Sequence, residues 1–311
     1  LEEMATSIDN QPYVRSAMEF LLSQVENTPY GHAVIGSVAD VKAATPESLN
    51  AFHQRYYRPD AMQLSLVGDI PAQTQSWVDE QFGDWQAPNI ERTQLSDLKI
   101  TPQPVHGEII DERGPWPAVL LAWHTAGSNS PDAAGLALLE AYLFQNKSSL
   151  IQGTSLNDPD QLLSYSIPLT MTHHGVTNLV LVPRARTSLD RLTENVQGLI
   201  DTVTDKPISA AKLCQLKQIW LNKALARLDS PSQLAKALSA TAPQDKHHPL
   251  TGPWQRVNAV TPAQLQAIAQ GHFSQNGVRL DLLPPWYIRA TKSVLELLPK
   301  GMTDSLEEGV M

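Results

Sequence analysis

Apolar residues recur at helical spacing within Thr45–Tyr57, and this stretch organises the rest of the chain. Leu49, Phe52 and Tyr56 stand three or four positions apart, which predicts a helix with one apolar face. The stretch opens with threonine and then proline, the pair expected as a helix cap and first helical residue. From Met62 to Gly68 apolar and polar residues alternate, which predicts a strand.

The remaining pattern predicts further helices and short strands. Helices are predicted at 13–25, 71–82, 132–144, 188–203 and 208–228, with a short amphipathic piece at 294–298. Strands are predicted at 107–112, 118–124, 162–173 and 177–183, the last two forming a hairpin. Trp77 is expected to face inward. This order of elements indicates an α+β fold, in which helices cover one face of a largely antiparallel sheet.

The helix-and-strand unit occurs twice. A shift of 216 positions makes Thr45, Leu49, Tyr57, Leu64 and Leu66 coincide with Thr261, Leu265, Phe273, Leu280 and Leu282. A repeat over this distance predicts two copies of one structural unit.

The first copy is expected to be truncated. At a looser shift of 220, Leu1 falls on Leu221, and Glu3 on Lys223. The second copy extends more than 110 residues before position 223, whereas the first has two residues before Glu3. We therefore expect four segments: 1–88, the C-terminal part of a first half-domain; 89–105, a linker; 106–286, a complete second half-domain; and 287–311, a tail.

Composition and charge argue against several classes of function. The net charge of −9 and the absence of a basic stripe argue against a nucleic-acid partner. No apolar run has the length of a membrane span. Cys214 is the single cysteine, so an intrachain disulfide is excluded. Its position in a predicted helix favours an unreactive helix residue over a nucleophile.

Several motifs together resemble one family of metallopeptidases. They are Leu1-Glu2-Glu3-Met4, Pro29-Tyr30-Gly31, Thr45-Pro46-Glu47, Tyr56-Tyr57 and Val67-Gly68-Asp69. These motifs resemble the M16 (insulinase/pitrilysin/mitochondrial processing peptidase) zinc metallopeptidases. The resemblance implies a LuxS/MPP-like metallohydrolase fold, with two related α+β half-domains closing around an extended peptide. It also favours a bacterial periplasmic or envelope location, which the residues themselves leave undecided.

The resemblance implies a zinc site that this chain carries only in part. In the family, two histidines of an HxxEH helix and a glutamate from a later helix hold Zn²⁺, and the motif's own glutamate activates water. Glu3 matches the later glutamate, although a solvated acidic surface is the alternative. None of the nine histidines belongs to an HxxEH motif. In the second copy the equivalent helix, 135–143, is apolar at the ligand positions, and Lys223 replaces the glutamate. We expect no catalytic residue here, and no zinc binding in the family manner by this chain alone.

The family's second half normally supplies an arginine and a tyrosine, seven residues apart, that hold the substrate. Tyr165 matches the tyrosine, but Asp158 stands in place of the arginine. An ordinary strand aromatic is the alternative interpretation of Tyr165.

The remaining histidines are predicted to have no metal role. Adjacent histidines on a strand point to opposite faces, so His173-His174 and His247-His248 are interpreted as surface or loop residues. His32 is expected to pack within its loop.

Three functional hypotheses follow. The chain is an inactive part of a zinc-dependent endopeptidase that acts on peptides, or it belongs to an intact peptidase whose HxxEH motif precedes Leu1. Alternatively, it is a non-catalytic partner subunit or scaffold of an M16-type or core-protein-like complex. That last hypothesis, which the altered Arg/Tyr positions favour, requires an M16 partner subunit or a second copy of the chain.

Overall fold

The computed structural model describes two compact units. It describes Thr6 and residues 11, 13–23, 25–26, 28–34, 36–90, 105–145, 149–155, 160–166, 168–241, 250–273 and 277–295. The first unit comprises residues 1–33, 98–216 and 260–311, and the second comprises residues 34–97 and 217–259. The predicted division into half-domains, linker and tail stays a prediction.

All of the described strands lie in one sheet of the first unit. They are β1 (Val105–Ile110), β2 (Ala118–Ala126), β3 (Gln161–Ser166), β4 (Leu169–Thr170), β5 (His174–Pro183) and β6 (Val278–Leu283). Their order is β1-β6-β2-β5-β3, and β4 also pairs with β5. Only β1 and β6 run parallel among these pairs. The predicted α+β fold with a largely antiparallel sheet is confirmed. The predicted hairpin is divided differently, since β3 and β4 both pair with β5.

The helices follow the predicted pattern closely in the second half of the chain. In order they are α1 (Val14–Ser23), α2 (Val38–Ala43), α3 (Pro46–Tyr56), α4 (Thr74–Phe82), α5 (Ala133–Glu140), α6 (Leu150–Ser155), α7 (Leu189–Thr204), α8 (Ala210–Ala226), α9 (Pro231–Thr241), α10 (Gly252–Ala259), α11 (Pro262–His272) and α12 (Trp286–Leu295). Residues 141–145 continue α5 as a π-helical turn. None of the helices described is long and apolar enough to cross a membrane.

One face of the sheet packs against α1. Successive residues of a strand point to opposite sides, so alternate residues of β2 form one layer. Leu120 and Ala122 of that layer pack with Leu280 of β6 and with Phe20 and Leu21 of α1. Helix α1 is thereby held on the sheet.

Helices α5, α7 and α11 cover the opposite face. There the Trp123 ring lies 5.7 Å from the Phe144 ring and 5.6 Å from the Phe273 ring, measured between centroids. Gln270 Nε2 donates to the backbone oxygen of Thr204 at 2.7 Å, which joins α11 to the end of α7. This layer forms the larger core.

Arg58 links two parts of the second unit. Its side chain is buried and lies 2.6 Å from Asp60, measured from Nε to Oδ1. Its Nη1 donates to the backbone oxygen of Ile90 at 2.7 Å. This bond connects the turn after α3 to the segment after α4.

Helices α3 and α11 have the same local structure, as the repeat predicts. Each has 11 residues, begins with proline and is capped by a threonine, Thr45 or Thr261, in a capping box. Their surroundings differ, because Leu265 of α11 is 1% exposed while its counterpart Leu49 is 59% exposed. The repeated sequence therefore produces the same helix in two different environments.

Two predictions for the first copy are wrong. No strand forms at 62–68, and none of the described strands pairs with this segment. A strand needs a hydrogen-bonded neighbour, so the alternation of Leu64 and Leu66 is not sufficient by itself. Trp77, expected to face inward, is 52% exposed on α4. Apolar periodicity marks a face suited to burial, but another element has to cover it.

Tyr13 joins α1 to the loop between β1 and β2. Its backbone N–H donates to Asp111 Oδ2 at 2.8 Å, and its hydroxyl donates to the backbone oxygen of Trp116 at 3.0 Å. Gly114 lies directly beneath the ring, where a Cβ atom would overlap the Tyr13 phenol. The loop therefore requires glycine at this position.

We predict that Gly114→Ala lowers the free energy of unfolding by about 1–3 kcal/mol, because the added methyl group overpacks the Tyr13 contact. Equilibrium unfolding in urea measures the change. The matched control is Gly198→Ala in α7, where the added Cβ meets no atom within 4 Å. That variant should be more stable by up to about 1 kcal/mol, because alanine is the better helix former. Equal stability of the wild-type chain and Gly114→Ala would contradict the prediction.

Candidate functional site

The sheet face that α1 covers is open over β3 and β4. Cross-strand partners point to the same side of a sheet. The β5 partners of Leu163, Tyr165 and Leu169 belong to the layer that packs with α1, so these three side chains share that face. They are 49%, 60% and 46% exposed. We call Leu163, Tyr165 and Leu169 the open row.

The open row lies along an edge of the sheet. β3 ends the strand order, and none of the described strands pairs with its outer side. An edge strand offers unpaired backbone N–H and C=O groups to any extended chain that lies beside it. The structure therefore combines an edge that is unpaired among the described strands with exposed apolar side chains.

His124 and His174 form a close pair beside the open row. His124 Nδ1 lies 3.0 Å from His174 Nε2, a hydrogen-bonding distance. Burial lowers the pKa of both imidazoles, and the neighbouring His124 further lowers the pKa of His174 to about 4. Both rings are therefore neutral at pH 7. Only 7% of His174 is exposed, so its interpretation as a surface or loop residue is wrong.

The Pro-Tyr-Gly motif reaches the same end of β5. The backbone N–H of His173 donates to the Tyr30 hydroxyl at 3.3 Å. His32, expected to pack in this loop, is exposed instead. The tyrosine of the motif thus supports the strand that carries His174.

Glu140 is a buried carboxylate on the other side of the sheet. Thr177 Oγ1 donates to one carboxylate oxygen, and Gln145 Nε2 donates to the other at 3.3 Å. Burial raises the pKa of Glu140. The sequence pattern did not single out Glu140, because the surrounding helix is otherwise apolar. A single carboxylate in such a helix was the available signal.

Several predicted site residues lie outside the described part of the chain. These are Glu3, Asp158, His247 and His248. Lys223 and Cys214 are exposed on α8. Among the residues described, no three or more His, Cys, Asp or Glu side chains are grouped so that they could hold a metal ion. Of the predicted site residues that the structure describes, Tyr165 is the one that is exposed on a strand of the sheet.

Comparison with known proteins identifies the family. Residues 43–217, more than half of the chain, match the family described as the peptidase M16 inactive domain. The chain belongs to the M16 peptidase family. The resemblance seen in the sequence is confirmed, and this match describes a non-catalytic part of an M16 protein.

Relatives of the M16 chain are distant in sequence. It is 23% identical over 250 residues to the zinc protease PqqE of Helicobacter pylori. The matched region covers 75% of this chain and 54% of that protein. The chain therefore spans about half the length of this curated relative. The structure also resembles an M16 inactive domain from Pseudomonas fluorescens, with a TM-score of 0.73 and 18% identity over 90% of this chain and 67% of the other. It resembles an M16-like peptidase from Alicyclobacillus acidocaldarius as well, with a TM-score of 0.75 and 18% identity over 91% of this chain and 68% of the other.

We predict that Glu140 makes stability depend on pH. A carboxyl group whose pKa is raised on folding stabilises the fold below its ordinary pKa of about 4.5, and this stabilisation is lost as the pH rises through the folded-state value. The free energy of unfolding should therefore fall more steeply with rising pH in the wild-type chain than in Glu140→Gln. Urea unfolding between about pH 4 and 8 measures both slopes.

The control is Glu194→Gln, which removes an exposed carboxylate whose side chain is 72% accessible on α7. Its pH dependence should match that of the wild-type chain. Parallel curves for the wild-type chain and Glu140→Gln would show that Glu140 does not titrate differently in the folded state.

Proposed function

We propose that this chain is a non-catalytic part of an M16 zinc peptidase and that it holds an extended peptide along the edge of β3. The observation that carries the proposal is the exposed Tyr165 in the open row beside a free strand edge. Tyr165 is also the residue that matches the substrate-holding tyrosine of the family.

The geometry favours a peptide in the β conformation. An added strand would pair its backbone with the free edge of β3, which supplies affinity without regard to sequence. Alternate side chains of that strand would then lie on the side of the open row. Leu163, Tyr165 and Leu169 would favour apolar residues at those alternate positions.

In this proposal, residues other than those of the open row carry out peptide hydrolysis. Zinc proteases among the relatives indicate Zn²⁺ for the family. When bound at an HxxEH helix, the ion supplies an activated water. The open row consists of two leucines and a tyrosine, and in this proposal its role is to bind and align the substrate.

We predict that Tyr165→Ala weakens binding of a labelled peptide of alternating valine and threonine by about fivefold to tenfold, through loss of one aromatic contact. Fluorescence anisotropy measures the affinity. The matched control is Tyr56→Ala, since Tyr56 is 49% exposed but lies on α3. The chain should not cleave this peptide, and added Zn²⁺ or a chelator should not change that. Equal affinity of Tyr165→Ala and the wild-type chain would contradict peptide binding at β3.

A second candidate function is that of a partner subunit or scaffold. Exposed apolar residues are concentrated between positions 34 and 90, which favours a protein partner. They are Val34, Val41, Leu49, Phe52, Tyr56, Tyr57, Met62, Leu64, Leu66, Ile70, Trp77, Phe82, Trp85 and Ile90. Each of them is at least 36% exposed, and apolar side chains exposed in such number are a feature of protein interaction surfaces.

The second copy shows what kind of contact this surface suits. Leu280 and Leu282, the counterparts of Leu64 and Leu66, are 0% and 3% exposed because β6 lies between β1 and β2. A partner that pairs with residues 62–67 would bury their side chains in the same way. An M16 partner subunit or a second copy of this chain is the candidate for that role.

We predict that the chain self-associates through this segment and that Leu64→Glu reduces the association, because a carboxylate cannot be buried in an apolar contact without a partner. Size-exclusion chromatography with light scattering measures the mass over a range of concentrations. The control is Leu225→Glu on α8, where the wild-type leucine is 55% exposed. A wild-type chain that stays monomeric would contradict self-association.

A further inference from the structure

The two histidines that face each other across β2 and β5 have the spacing of metal ligands. The bond from zinc to a histidine nitrogen is about 2.0–2.1 Å, so two such ligands lie roughly 2.8–3.0 Å apart at right angles and roughly 3.3–3.4 Å apart at tetrahedral angles. His124 Nδ1 and His174 Nε2 are 3.0 Å apart. A rotation of each ring would aim both lone pairs at one point.

The backbone holds both side chains in place. His124 stands opposite Val176, and His174 stands opposite Ala126, so the histidines occupy diagonal positions on neighbouring strands. At the histidines β2 pairs with β5, and β5 also pairs with β4 through Gly175 and Val176. Preorganised ligands lose little conformational entropy on binding.

We propose that His124 and His174 form a binding site for a divalent transition-metal ion of the nickel, copper and zinc group. Neutral imidazole suits this group of ions better than it suits magnesium or calcium. The site contains neither Glu3 nor any HxxEH residue, so it is separate from the zinc site of the family. It is also independent of peptide binding at Tyr165.

The proton balance of the site is simple. In the hydrogen-bonded pair, one of the two facing nitrogens carries a hydrogen and the other accepts it. Coordination requires that this hydrogen move to the far nitrogen of the same ring, which changes the tautomer and releases no proton. Water completes the coordination, since two protein ligands leave positions open.

The test is isothermal titration calorimetry, in which the untagged full chain is titrated with NiCl₂ or with ZnCl₂ at neutral pH. We expect one ion per chain at this site. His124→Asn and His174→Asn should each weaken binding at least tenfold. His53→Asn is the control, because His53 is exposed on α3 and should not affect affinity. Tyr165→Ala should also bind metal normally, which separates this proposal from the proposed peptide binding.

A second measurement uses the wild-type chain alone, in case an asparagine variant fails to fold. Nitrogen-15 NMR of the histidine rings should show Zn²⁺ shifting His124 Nδ1 and His174 Nε2 at a ratio of one ion per chain. Unchanged signals from these two nitrogens would overturn the proposal. Equal metal affinity of the wild-type chain and folded variants of both histidines would overturn it as well.

Discussion

Insertion of β6 between β1 and β2 is the constraint on which the rest of the sheet depends. β6 runs parallel to β1 on one side and antiparallel to β2 on the other. Its Asp281 lies 3.1 Å from His106, a residue 175 positions away in the chain. The sheet is therefore completed only after distant segments meet, and both apolar layers pack on the completed sheet. Pairing over such sequence distances is entropically costly, which is characteristic of slowly folding topologies.

This strand order also determines which side chains are exposed and which are brought together. With β6, β2 and β5 in the interior, β3 is left at an edge, and the open row remains exposed beside it. The same arrangement brings His124 and His174 together, although they are 50 positions apart in the chain. Glu140 lies under the helices on the other face, where its carboxylate accepts from Thr177 and is separated from the open row by the sheet.

The two copies of the repeated unit separate local from tertiary effects. Thr45 and Thr261 cap helices of the same length, because a capping box depends on residues within one turn of the chain. Leu66 and Leu282 show the opposite outcome, one exposed and one buried in a strand. The alternation of both segments predicts a strand, yet a strand forms only where neighbouring strands supply the hydrogen bonds.

The sequence by itself determined the family, the α+β class, most helices of the second half and the position of Tyr165 in a strand. These features rest on motifs, caps and periodicity, which are encoded by residues close together in the chain. The tertiary structure alone decided the His124–His174 pair, the burial of Glu140 beside Thr177 and the exposure of Trp77. Each of these depends on strand register or on what covers a surface, and neither property is specified by residues that are neighbours in sequence.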